Sequence, residues 1–139
     1  TRVPFITYWK GHIEPMVSDA VVSQLDLFSS LASLVDSETR GPDSEELMDV
    51  FLGKDTRGRE ALILEATGRT ALRKGDWMLI PPYQGPAVAE QVQIELGNSG
   101  EFQLYNLKED LGEQQNMAAH HPEKLKEMTE SFKNLRGGI

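Results

Sequence analysis

Apolar and polar positions recur along this chain with two different periods. From residue 18 to 35 the spacing is helical: Val21, Leu25, Phe28, Ala32 and Val35 fall on one face. Leu27, Leu31 and Leu34 widen that face, so a helix over 18–35 asks for cover on two sides. Ser18 or Asp19 is placed to cap its first free N–H groups. Before it, residues 1–9 read as a strand carrying Val3, Phe5, Ile6, Tyr8 and Trp9, with Gly11 and Pro15 ending it. Pro4 has no N–H, so this strand lies at an edge or Pro4 lies near its start. Residues 36–49 are acidic, and Gly41 and Pro42 break structure there. Asp43 or Ser44 can cap a short helix carrying Leu47, Val50 and Phe51, with Gly53 as its stop. Residues 54–60 are polar and read as a loop.

From residue 61 the period shortens to two. Ala61 to Ala66 reads as a strand. Thr70 to Arg73 and Trp77 to Ile80 flank Lys74-Gly75-Asp76, a hairpin signature, and Pro81 and Pro82 end the second of them. Gln91 to Leu96 alternates through Val92, Ile94 and Leu96; Gly97-Asn98-Ser99-Gly100 is a turn; Phe102, Leu104 and Leu107 resume the alternation. Asp110 and Glu113 have capping-box spacing and start a short turn of helix. Pro122 suits the first residue of a final helix with the stripe Leu125, Met128, Phe132 and Leu135 and a stop at Gly137. The expected fold is α+β: a small antiparallel β-sheet of about four strands packed against a C-terminal helix. A strand and a helix that look like edge pieces of something larger precede it. The domains divide as 1–55 and 56–139.

The charge narrows the function classes. The 139 residues hold 22 acids and 14 bases, a formal net charge of −8. That argues against a nucleic-acid surface, which needs Lys and Arg to neutralise phosphate. No apolar run approaches the roughly 20 residues of a membrane span. The chain has no cysteine, which excludes a disulfide, a thiolate zinc site and a cysteine nucleophile. It begins at Thr1 rather than Met, which reads as a piece of a longer chain.

Candidate chemistry is sparse. There is no Gly-rich phosphate loop and no serine nucleophile elbow. His120, His121 and Glu123 can be drawn as a metal site, but a helix N-terminus meeting solvent is the better reading. The acidic run lacks EF-hand spacing and reads as a solvated loop. Asp26, set among apolar neighbours, reads as a buried acid paired with a nearby donor. Trp9, Trp77, Tyr83 and Tyr105 read as packing groups rather than a sugar platform. Lys10, Lys54, Arg57, Arg59, Arg69, Arg73 and Lys74 form a basic stretch in which an anion site competes with a solvated hairpin.

Several motifs occur together in an informative order. Arg2-Val3-Pro4-Phe5-Ile6 with Trp9-Lys10-Gly11-His12-Ile13, Asp26-Leu27-Phe28-Ser29-Ser30, and Leu52-Gly53-Lys54 lie in the first half. Ala71-Leu72-Arg73-Lys74-Gly75-Asp76-Trp77-Met78-Leu79-Ile80, and Leu104-Tyr105-Asn106-Leu107 through Asp110, Gly112-Glu113 and Asn116, lie in the second. Taken in this order they resemble the C-terminal part of type I sulfatases, the arylsulfatase family of the alkaline phosphatase superfamily. Lys10, Ser29-Ser30, Met78, Asn106 and Leu111 depart from the family pattern, all in segments that read as structural.

The resemblance implies that residues 1–55 are a remnant at the edge of the parent's catalytic α/β domain, and 56–139 its C-terminal α+β subdomain. It implies a parent that hydrolyses sulfate esters with a formylglycine nucleophile and a divalent cation, usually calcium, both upstream. This piece then holds no catalytic residue, no metal ligand and no cofactor, and is inactive alone. Two loops are candidates to wall the substrate cleft: residues 66–70, carrying Arg69, and residues 83–100, with Asn98 at the tip. The implied partners are the missing N-terminal catalytic domain and a sulfated glycan or aryl sulfate for the parent. Homo-dimerisation through exposed apolar faces is expected of the piece, and localisation is periplasmic or secreted. A non-catalytic interaction or carbohydrate-binding module, and a phosphatase or phosphonate hydrolase parent, are the alternatives.

Overall fold

A computed structural model describes residues 3–66 and 68–136 of the chain. Thr1, Arg2, Thr67 and Gly137 lie outside the described residues, and with them the start of the expected first strand and the expected helix stop. The chain forms two compact units, 1–60 and 61–139.

In the first unit the helix is shorter than its apolar period. Helix α1 runs Asp26–Leu34, not 18–35. A capping arrangement at Ser23 sets the start: the Asp26 carboxylate accepts from the Ser23 N–H at 2.8 Å, and the Ser23 hydroxyl accepts from the Leu25 N–H at 3.3 Å. Ser18 accepts from Ala20 N–H in a local turn and does not cap α1. The end is a Schellman motif, in which Ser37 N–H reaches Ala32 O at 2.9 Å and Asp36 N–H reaches Ser33 O at 3.1 Å. Asp36 takes the left-handed position (φ 55°) where glycine is usual.

The buried face of α1 is also the opposite of the expected one. Asp26, Ser29 and Ser30 are buried, while Leu25, Phe28, Leu31, Leu34 and Val35 are exposed. Ser29 and Ser30 hold the following loop by its backbone. Ser29 Oγ accepts from Gly41 N–H at 3.2 Å, Ser44 Oγ accepts from Ser29 N–H at 3.0 Å, and Ser30 Oγ accepts from Leu47 N–H at 2.8 Å. These bonds need that face inward, so the apolar stripe turns outward.

Helix α2 is one turn, Met48–Phe51, closed by Gly53 at φ 72° as expected. Phe51 is buried against the tilted ring of Phe5, 5.6 Å away between centroids. The strand expected over residues 1–9 is not formed by the described residues 3–9. A strand needs a neighbouring ladder for its N–H and C=O groups, and this unit has no sheet among its described residues.

The second unit is the expected α+β arrangement. Strands β1 (Ala61–Ala66), β2 (Arg69–Lys74), β3 (Trp77–Ile80) and β6 (Gln103–Asn106) form an antiparallel sheet in the order β1-β2-β3-β6. The β2–β3 register is pinned by Lys74 opposite Trp77, with Gly75 at φ 56° in the tight turn. Helix α3, Pro122–Leu135, carries Met128 into a core with Leu72, Leu79 and Leu104, flanked by Ile63, Leu125 and Phe132. Leu135, expected in the stripe, is exposed.

Two local expectations in this unit are corrected. The strand over 91–96 shrinks to β5 (Ile94–Glu95), paired with β4 (Val88–Ala89). Val92 and Gln93 N–H both bond Ala89 O, closing a turn with Gln93 at φ 53° where the alternation had pointed to a strand. The helical turn at Asp110 is also absent. Asp110 Oδ2 accepts from Gln114 and Gln115 N–H, each at 2.7 Å, and Glu113 lies at φ 54°. Beyond it, Asn116 lies along β6: its Oδ1 accepts from Leu104 N–H at 3.0 Å and its Nδ2 donates to Phe102 O at 3.1 Å.

Candidate functional site

The two loops singled out in the second unit meet at a tyrosine. Tyr83 follows Pro81-Pro82, which end β3. Its hydroxyl accepts from Thr70 N–H at 2.6 Å and lies 2.9 Å from Thr70 Oγ1 and 3.2 Å from Thr70 O. Its backbone N–H donates to Ser99 O at 2.8 Å. Arg136, at the end of α3, donates to Thr70 Oγ1 at 3.3 Å. The hydrogen bonds therefore run in one direction: Arg136 into the Thr70 hydroxyl, that hydroxyl into Tyr83, and Tyr83 into the Thr70 carbonyl. Thr70 is buried, so its N–H, hydroxyl and carbonyl find partners where water does not reach.

Arg69 and Asn98 are each one residue from a partner of Tyr83. Arg69 opens β2 and is half-buried, opposite Ala66. Asn98 Nδ2 donates across its loop to Pro86 O at 2.6 Å, while its Oδ1 is buried without a hydrogen-bond partner. That amide clamps the loop. Two open depressions of about 290 and 420 Å³ lie on this unit, and neither Arg69 nor Asn98 lines them. The sequence suggests only a packing group at Tyr83. Its link to Thr70 spans thirteen residues, and no local pattern announces it.

The other polar centre lies within the first unit. Asp26 is fully buried and accepts from both Arg59 nitrogens Nε and Nη2, as well as from Ser23 and Glu45 N–H. Arg59 also reaches Asp43 O and lies 3.3 Å from Glu45 Oε1, and its own N–H bonds Val21 O at 2.8 Å. Burial pushes the Asp26 carboxyl up, but Arg59 and the two backbone N–H groups outweigh it and hold it below its usual value. The expected donor for Asp26 is thus Arg59. Every lone pair in reach is engaged, as in a structural clasp. Gly58 beside it has no room for a side chain, since a Cβ would lie 2.2 Å from Val21 O.

The remaining candidates disperse. Lys54 lies 3.9 Å from Asp49, Arg57 pairs with Asp55, and Lys74 lies 3.6 Å from Glu127, so the basic stretch is distributed among acids. His121 meets the edge of Trp77 at 5.5 Å between centroids. His12 stacks on Trp9 at 4.2 Å. Among the described residues no three His, Asp or Glu side chains come together as a metal would need.

No protein-family model matches the chain. An N-acetylgalactosamine-6-O-sulfatase of Bacteroides thetaiotaomicron is 38% identical over 98% of the chain. A solved structure described with the metabolism of multiple glycosaminoglycans by Bacteroides thetaiotaomicron superposes with a TM-score of 0.87 at 35% identity over 93% of the chain. The chain belongs to the sulfatase family. Human arylsulfatase A is 26% identical over 97% of this sulfatase chain. A crystal structure of Ps i-CgsB, 17% identical with a TM-score of 0.58, shares the fold alone. The sulfatase chain spans only 27% and 30% of the length of the two curated relatives, so it corresponds to a part of such an enzyme.

Proposed function

We propose that the parent enzyme hydrolyses sulfate esters and that these 139 residues support and shape its substrate cleft without performing the chemistry. The observation that carries this reading is identity along nearly the whole chain to a sulfatase almost four times as long. The name of that relative makes a glycan bearing a 6-O-sulfated amino sugar the first substrate to test.

The formylglycine nucleophile and the divalent cation belong, in this reading, to the rest of the enzyme. There is no cysteine here to become formylglycine. A bound cation would act there as a Lewis acid on the sulfate oxygens. What this segment supplies is a stiff lip. Tyr83 ties residues 68–70 to Ser99, so Arg69 offers a cation and the 83–100 loop offers a wall to a sulfated chain. The parent is exported, to the periplasm or beyond.

The test assays the 139-residue chain and the complete enzyme side by side with an aryl sulfate and calcium. Turnover by the complete enzyme and none by the segment is expected. Measurable turnover by the segment would overturn its supporting role. Arg69→Ala in the complete enzyme is expected to raise KM for the sulfated glycan several-fold with kcat little changed. An unchanged KM removes Arg69 from the lip.

A further inference from the structure

Helix α3 leaves two of its cations unpaired. Lys124 pairs with Glu127, which also lies 3.6 Å from Lys74. Lys126 and Lys133 are exposed and have no ion-pair partner among the described residues. Both line an open groove of about 290 Å³ between α3 and the residue that leads into β6. The apolar lining is Phe102, Pro122 and Leu125, and Glu130 lies between the two lysines along the helix. Phe102 is held in place, since Asn116 Nδ2 donates to its carbonyl and its side chain packs against the sheet–helix core. Neither Arg69 nor Asn98 lines this groove, so it is separate from the lip.

We propose that the α3 groove is a second, non-catalytic binding site for a sulfated glycan chain, holding a long substrate while the chemistry proceeds elsewhere in the enzyme. The spacing of the charges selects this ligand. Lys126 and Lys133 are seven residues apart, which puts them on one face about 10.5 Å apart along the helix axis. That matches the repeat of a glycan with one acidic group per disaccharide. A lone inorganic anion gains little here, because Glu130 repels it from the space between the lysines. In a spaced polyanion the acidic groups meet the lysines, and sugar hydroxyls between them donate to the Glu130 carboxylate. The apolar faces of the sugar rings lie on Phe102 and Pro122, as in sites that combine an apolar lining with a few placed polar groups. The choice of a sulfated glycan rests on the sulfatase reading above; the unpaired lysines and the apolar lining do not.

The experiment follows acetylation of lysine amines in the complete enzyme, read by mass spectrometry. The probes are an octasaccharide with one sulfate per disaccharide, its desulfated counterpart, and polyglutamate of the same charge. With the sulfated octasaccharide, Lys126 and Lys133 are expected to react roughly fivefold more slowly, while the exposed Lys108 is unchanged. Equal rates with and without it overturn the proposal. Protection of the same size by the desulfated chain also overturns it, by taking recognition away from the cations. Equal protection by polyglutamate does so by making an acidic peptide the occupant. Lysines already unreactive before any probe is added do so by showing the groove covered within the enzyme. A second arm replaces both cations, Lys126→Ser with Lys133→Ser. KM for the octasaccharide is expected to rise roughly fivefold more than KM for a monosulfated disaccharide, and an equal change in both overturns the proposal. Aryl-sulfate turnover reads the family activity separately. Turnover without protection sinks the groove alone, and protection without turnover sinks the activity alone.

Discussion

The two units reach a folded state by opposite routes. The second unit buries Leu72, Leu79, Leu104 and Met128 between a sheet and a helix, with Thr70 as its buried polar residue among those described. The first buries an ion pair and two serines and leaves much of its apolar surface outside. A chain can therefore look suitably hydrophobic in composition while one part puts little of that surface, chiefly Phe51, into its own core. Specific polar bonds can fix a local fold whose apolar side is reserved for something else.

The largest effect that separates the routes is expected from Arg59→Met. It leaves the Asp26 carboxylate buried without its partner, which costs about 3–5 kcal/mol. Amide exchange in residues 41–47 should accelerate, while exchange in β2, β3 and β6 is the control. The same pair gives the first unit an acid limit. The native Asp26 pKa is depressed, so its stabilisation is complete above the unfolded carboxylate value of about 3.9. It is lost as pH falls through the lower native value, and Arg59→Met should abolish that acid-dependent step. Protection in residues 41–47 that is insensitive to the substitution would mean the clasp is incidental.

Leu104→Ala addresses the other route. Removing a fully buried leucine from the sheet–helix core is expected to cost about 2–5 kcal/mol, seen as a lower melting temperature and faster exchange across β3 and β6. If exchange in 41–47 accelerated equally, the two routes would not be separate. The smallest effect is expected from Ser23→Ala, which removes one capping acceptor and costs about 1 kcal/mol. It should fray the start of α1 in exchange data, and no change there would place the helix start elsewhere.

The parts legible in the sequence were those with short-range causes. The β2–β3 hairpin follows from Lys74-Gly75-Asp76, and α3 follows from Pro122 and a stripe that needs only its own sheet. Helix α1 misled because its apolar period is real but faces outward. The Ser23–Asp26 spacing, a capping signature, was in plain view upstream of the true start. The partner that makes Asp26 a core residue is thirty-three residues away, which no local pattern encodes. Residues 91–96 alternate as a strand would, yet Gln93 turns the chain back on Ala89. At the candidate lip, Arg69 and Asn98 stood out as a cation and a loop tip. The joint between their loops depends on Tyr83 and Thr70 meeting across the sheet end, and only the fold brings them together.

Asn116 carries a consequence for how this protein ages. Its amide stands in for a neighbouring strand along the outer side of β6, donating to Phe102 O and accepting from Leu104 N–H. Slow hydrolysis of that exposed amide to an acid would keep the acceptor but set a carboxylate oxygen against the Phe102 carbonyl. One side of the seam would open, and bare strand edges recruit other chains. The cover over Phe102 O on that edge thus depends on a single side-chain nitrogen.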